Sequence, residues 1–85
     1  MIAGYVFIHT EVGTANDVAA ALRGLPCVSA ADSVAGPYDV IARLEAGTID
    51  ELGAQVLSRV QAIRGVLRTT TCPVIYRPEP GPDGS

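Results

Sequence analysis

The chain has 85 residues, a net charge of −3 and 48% apolar residues, with all six of its basic side chains arginine. That length gives one domain, and the apolar content excludes a largely disordered chain. Scattered arginines outnumbered by carboxylates exclude the basic stripe that displaces counterions from phosphates, so no direct nucleic-acid binding is expected.

From Ile2 to Thr10 the residues are apolar, aromatic and β-branched, which predicts a first strand. The stretch carries no basic flank and is too short for a signal or membrane segment, so no membrane partner and a cytoplasmic location are expected. Thr14 is placed to N-cap a helix, with Asp17 completing an approximate capping box. Ala15, Val18, Ala19 and Leu22 fall on one face of that helix, and Gly24 ends it. Val28 to Val34 reads as a second strand, Gly36-Pro37 as a turn, and Tyr38 to about Glu45 as a third strand. Thr48 and Glu51 form a T-x-x-E capping box for a second helix, whose apolar stripe is Ile49, Leu52, Val56, Val60 and Ile63. Asp50 and Glu51 sit in its first turn, where the helix dipole and the cap account for them. Gly65 stops it, and Val66 to Tyr76 predicts the fourth strand. Residues 77–85 are rich in proline and glycine and read as a disordered tail behind a domain of residues 1–76.

The order is β-α-β-β-α-β. Ala21-Leu22-Arg23-Gly24-Leu25 and Ala62-Ile63-Arg64-Gly65-Val66 mark a weak internal repeat at the two helix ends. Two β-α-β units interleave into an α+β, ferredoxin-like sandwich: a four-stranded antiparallel sheet with two helices on one face. Strand alternation puts Val6 and Ile8 on one face and Tyr5 and Phe7 on the other; Val40, Ala42 and Leu44 oppose Ile41, Arg43 and Glu45. In the fourth strand the same alternation groups Val66, Val74 and Tyr76 against Leu67 and Ile75. Two helices cover one face only. The other keeps aromatic and aliphatic groups, each worth about 1.5–3 kcal/mol when buried. A chain this small buries only about 60% of its unfolded surface, so a homodimer packed sheet on sheet is expected.

Three segments in the right order on this frame resemble one family. Gly36-Pro37-Tyr38-Asp39 matches the G-x-Y-D motif of the effector-binding domain of Lrp/AsnC transcription regulators, the RAM (regulation of amino acid metabolism) domain. Gly65-Val66-Leu67-Arg68-Thr69-Thr70-Thr71 matches its G-V-x-x-T-x-T strand, and Leu25-Pro26-Cys27-Val28 its L-P-x-V bend. The likeness spans residues 2 to 76. It implies dimers that assemble further, commonly to octamers, with a free amino acid held between them. Full-length members carry a helix-turn-helix domain first, whereas this chain opens on the effector domain. The resemblance therefore implies a stand-alone module without operator binding of its own, with full-length Lrp/AsnC regulators as partners.

A free amino acid needs an acceptor for its ammonium and donors for its carboxylate. Asp39 can be the acceptor through a charge-assisted hydrogen bond, Gly36 allows close backbone approach, and the amide of Tyr38 can face the carboxylate. The bland alternative is that Gly36-Pro37 is only a hairpin turn and that Asp39 bonds nearby backbone. Thr69 and Thr71 share one strand face, where hydroxyls can meet a ligand, although threonine favours strands regardless. By the resemblance Cys72 lines the same pocket; by itself it reads as a small buried hydrophobe. Cys27 and Cys72 have no metal-type spacing and read as reduced thiols. His9 is the single histidine, so neither a metal site nor a Ser-His-Asp array is built around it. No phosphate loop, catalytic residue, metal or cofactor is expected. An amino-acid sensor that is not an enzyme leads; a small dimeric ferredoxin-like enzyme and a ligand-free assembly partner are the alternatives.

Overall fold

The computed structural model describes residues 2–75, so the expected tail and Tyr76 lie outside the described residues. The elements are β1 (Ile2–Thr10), α1 (Ala15–Arg23), β2 (Val28–Ser33), β3 (Val40–Ala46), α2 (Ile49–Gln55) continued by a π-helical turn (Val56–Val60), and β4 (Val66–Pro73). The sheet order is β2-β3-β1-β4 with antiparallel neighbours throughout. This is the ferredoxin-like arrangement that the element order predicts.

The side-chain period of a strand decides which residues reach the helices. Val6 faces Ala42 and Ile8 faces Val40 across the central pair, and all four are fully buried. Val18, Ala19 and Leu22 from α1, and Leu52, Val56 and Val60 from the second helix, close over them. Leu52 lies directly over β1, because a Cβ on Gly4 would sit 2.6 Å from its Cδ2. The helix stripe departs from expectation at Ile49, which is 55% exposed. A four-residue step overshoots a 3.6-residue turn by about 40°, so an unbroken α-helix would carry Leu52, Val56 and Val60 progressively off the core. The wider π turn beginning at Val56 takes back part of that drift, and Val60 stays fully buried.

The two helix starts differ. Thr48 caps as predicted: its Oγ1 accepts the Glu51 N–H at 3.1 Å, while the Glu51 carboxylate accepts the Gly47 N–H at 2.8 Å. Thr14 does not cap, contrary to expectation. Its backbone is already near-helical (φ −106°, ψ −2°) and its hydroxyl donates instead to the Glu11 carbonyl at 2.7 Å.

The internal repeat is real in the backbone but three residues out of phase with the similar residues. Leu25 N donates to Leu22 O and Val28 N to Leu25 O; likewise Ile63 N donates to Val60 O and Val66 N to Ile63 O. Leu22, Leu25 and Val28 thus match Val60, Ile63 and Val66, and Gly65 takes the place of Cys27 rather than of Gly24. The dihedrals agree: Gly24 has φ −78°, whereas Gly65 has φ +101°.

In β4 the expected alternation is also corrected. Val66 pairs with Thr10 and Arg68 with His9, so Leu67 is an extra, bulged residue. Parity reverses across it. Val66 packs on the core, while Val74 donates its N–H to Ala3 O on the strand's far stretch, so the two do not share a face. Among the described residues, no helix is long and apolar enough to cross a membrane.

Candidate functional site

The face of the sheet away from the helices carries Tyr5, Phe7 and His9 from β1, Ile41, Arg43 and Glu45 from β3, and Arg68, Thr70 and Cys72 from β4. Tyr5 is 41% exposed, and Phe7, His9 and Ile41 are half-buried. At the centre Arg43 pairs with Glu45 and donates to Ser29 Oγ at 3.0 Å. The Glu45 hydrogen bond is the main cause holding the Arg43 guanidinium above its ordinary pKa, with burial acting the other way.

The β2–β3 connection brings Tyr38 and Asp39 to the His9 end of this face. Val34 N donates to Asp39 O and Asp39 N to Ile8 O, both at 2.9 Å, which seats the connection against β1. The Tyr38 ring lies 5.0 Å from Phe7 and 4.9 Å from His9, centroid to centroid, in tilted contact. Asp39 Oδ2 accepts the N–H of Thr10, a residue only 8% exposed, at 2.9 Å. One carboxylate oxygen therefore holds the end of β1, as in the bland alternative, and the other retains its lone pairs. Gly36 has an ordinary negative φ, and a Cβ there would meet nothing within 4 Å; the turn does not demand glycine, and its backbone is open to approach.

The six predicted residues do not form one cluster. Thr69 and Thr71 do share a face, but pairing with Ile8 and Val6 puts them on the helix side of the sheet. There Thr69 Oγ1 accepts the Gln61 amide at 2.8 Å beside a cleft of about 340 Å³ lined by Gln61, Val66, Leu67, Arg68 and Thr69. Cys72 pairs with Tyr5, lies on the open face with Tyr38 and Asp39, and is exposed rather than buried. Both cysteines are free thiols. Sequence reasoning left out Arg68 and gave His9 no role. Arg68 was hidden by the Leu67 bulge, which no residue type announces; the β1 alternation did place His9 with Tyr5 and Phe7. A second cleft of about 340 Å³ is lined by His9, Leu67 and Arg68, and the His9 ring at its edge is in contact with Tyr38. Among the described residues, no group of three or more His, Cys, Asp or Glu side chains is positioned to hold a metal ion.

Comparison with known proteins places this geometry. No curated protein matches the sequence. The solved structure of TTHA0845 from Thermus thermophilus is 31% identical, superposes with a TM-score of 0.85, and covers 95% of this chain and 100% of its own. Escherichia coli AsnC is similar in fold at 22% identity and a TM-score of 0.83, covering 92% of this chain and 53% of its own. The transcriptional regulator NMB0573 of Neisseria meningitidis, solved as an L-Met complex, shares the fold at 16% identity and a TM-score of 0.79, over 92% of this chain and 52% of its own. The model of the Lrp/AsnC ligand binding domain matches residues 3–83, and the chain belongs to that family.

Proposed function

We propose that the chain is an oligomeric regulatory module that senses a free amino acid at a seam between its own copies. The observation that carries this reading is the open sheet face: Tyr5, Phe7, Ile41 and Tyr38 leave an aromatic and aliphatic surface that none of the described elements covers. On a domain this small such a surface is an interface. The G-x-Y-D connection stands at one end of it, where a second copy packed sheet on sheet walls in Tyr38 and Asp39. The free Asp39 oxygen takes the ammonium, and the amides of Gly36 and Tyr38 take the carboxylate. The L-Met complex of the Neisseria regulator, on the same fold, supports a small amino acid as the class of effector. Full-length regulators of the family are the partners through which a bound effector is read out.

Light scattering and thermal shift together test this. A dimer or larger assembly whose melting midpoint rises with a subset of the twenty amino acids is expected, since a ligand that binds only the native state stabilises it. A monomer at micromolar concentration, with no shift at millimolar amino acid, refutes it. Turnover of a small metabolite, lost in Asp39→Ala, would establish the enzyme alternative instead.

A further inference from the structure

We infer that His9 and Arg68 form an anion-selecting subsite that makes an acidic amino acid the preferred effector; this rests on the amino-acid reading above and names its substrate class. The two residues are directly paired across β1 and β4 on the open face. The two side chains offer donors to the same space, and an anion lying between them can accept from both. Among the described residues no such anion stands there: the one ion pair within 4 Å joins Arg43 to Glu45, and Arg68 has no carboxylate partner. Asp39 has an oxygen turned to the Thr10 N–H.

The space between them is shaped for a small ligand. The cleft of about 340 Å³ is lined by His9, Leu67 and Arg68. That is at the low end of the ~300–1,000 Å³ range of small-molecule sites, matching a single amino acid rather than a peptide. The Leu67 bulge interrupts the β1–β4 ladder here, and Tyr38 in tilted contact with His9 holds the imidazole as one wall. The guanidinium presents a planar fork that suits a carboxylate, and the imidazole offers an N–H in either protonation state. An amino acid with its ammonium at Asp39 and its backbone carboxylate at the amides of Gly36 and Tyr38 then extends its side chain across His9 toward Arg68. A side-chain carboxylate satisfies that cation. An amide of the same shape leaves it without an opposite charge.

Isothermal titration of the full chain with glutamate, aspartate, glutamine and asparagine is the test, repeated on Arg68→Leu, Arg68→Lys and Asp39→Asn. The wild type is expected to prefer the acidic member of each pair by about tenfold or more, the scale of one charge-assisted hydrogen bond. Arg68→Leu brings that ratio to about one by weakening the acidic member more than the amide, Arg68→Lys keeps part of it, and Asp39→Asn weakens both members together. Arg68 is exposed, so its replacements fold, which a circular dichroism melt checks. Equal wild-type affinities, or a preference that survives in Arg68→Leu, overturns the subsite. Glutarate, which lacks the ammonium, separates the two claims. If no amino acid binds but glutarate does, and Arg68→Leu loses it, the subsite stands and the amino-acid reading falls; if glutarate also fails, both fall.

Discussion

Replacing Gly24, Gly13 and Gly65 singly by alanine tests the fold at its least obvious point. By sequence Gly24 and Gly65 are equivalent helix stops. By structure they are opposites. At Gly24 the backbone has φ −78° and a Cβ would sit 3.4 Å from the Ala21 carbonyl oxygen, an ordinary contact. Alanine there restricts the unfolded chain without straining the native one and stabilises by about 0.4–1 kcal/mol. Gly13 has φ +81° with nothing within 4 Å, so alanine incurs only the conformational penalty of about 1–2 kcal/mol. Gly65 has φ +101°, and its Cβ would meet Thr14 Oγ1 at 2.8 Å and Val18 Cγ2 at 3.1 Å. Backbone strain of about 1–3 kcal/mol adds to overpacking of about 1–3 kcal/mol, a total of roughly 2–6. The Gly65 carbonyl also receives the Glu11 N–H at 2.8 Å, so a shift to relieve the clash pulls on the bond joining the β1–α1 connection to the one that enters β4. One kcal/mol moves the midpoint of a domain this size by about 4–8 °C. Thermal melts at one protomer concentration, which removes the mass-action effect of assembly, should rank the variants Gly24→Ala above wild type, then Gly13→Ala, then Gly65→Ala. Gly24→Ala and Gly65→Ala melting within a few degrees of each other would show the phase shift of the repeat to be wrong.

Leu52→Ala removes a side chain 1% exposed above Gly4 and should cost about 2–5 kcal/mol in urea unfolding. Thr48→Ala loses the acceptor for Glu51 N–H and should cost about 0.5–2 kcal/mol. Asp39→Ala leaves the buried Thr10 N–H without its acceptor and should cost about 1–3 kcal/mol, while Asp39→Asn, which keeps an acceptor, costs less; the difference separates the structural from the effector role of that carboxylate. Ile41→Asp places a charge in the middle of the open face and should convert the assembly to monomer by light scattering, with circular dichroism unchanged.

How much of this was legible depends on the range of the interaction. The β1 and β3 faces follow from alternation alone, and the Thr48–Glu51 cap from residue types three apart; both rules act within a few residues, and both hold. Thr14 has the residue type for a cap but not the backbone, because the Glu11 carbonyl claims its hydroxyl. The repeat was visible as similar residues yet misaligned, since arginine and glycine near a helix end are common for reasons unrelated to the hydrogen-bond ladder. The site suffered most from one feature. A single bulged residue at Leu67 reverses every facing after it in β4, and no local pattern marks a bulge. Motif resemblance gathered Thr69 and Thr71 with Asp39, although the sheet itself lies between the threonines and the open face.

That reversal also divides labour across the sheet. On the helix side Val6, Ile8, Val40, Ala42 and Leu44 are fully buried, so the centre of that face leaves no room for a ligand, and the cleft at Gln61 and Thr69 lies at its β4 edge. On the open side β1, β3 and β4 present partly exposed aromatics, one ion pair and, among the described residues, a cation without a carboxylate partner. Had β4 continued in strict alternation, Thr69 and Thr71 would stand beside Tyr5 and Phe7, and Arg68 would be turned toward the helices, where an unpaired guanidinium is costly. The bulge thus places the charge where solvent, a second copy or an effector can meet it. Deleting Leu67 would leave Val66 opposite Thr10 and Arg68 opposite His9 in unbroken alternation, so the shortened chain should keep Arg68 on the open face and melt close to Leu67→Ala, whose side chain is 64% exposed; a far larger loss of stability would show that the pairing at the bulge is wrong.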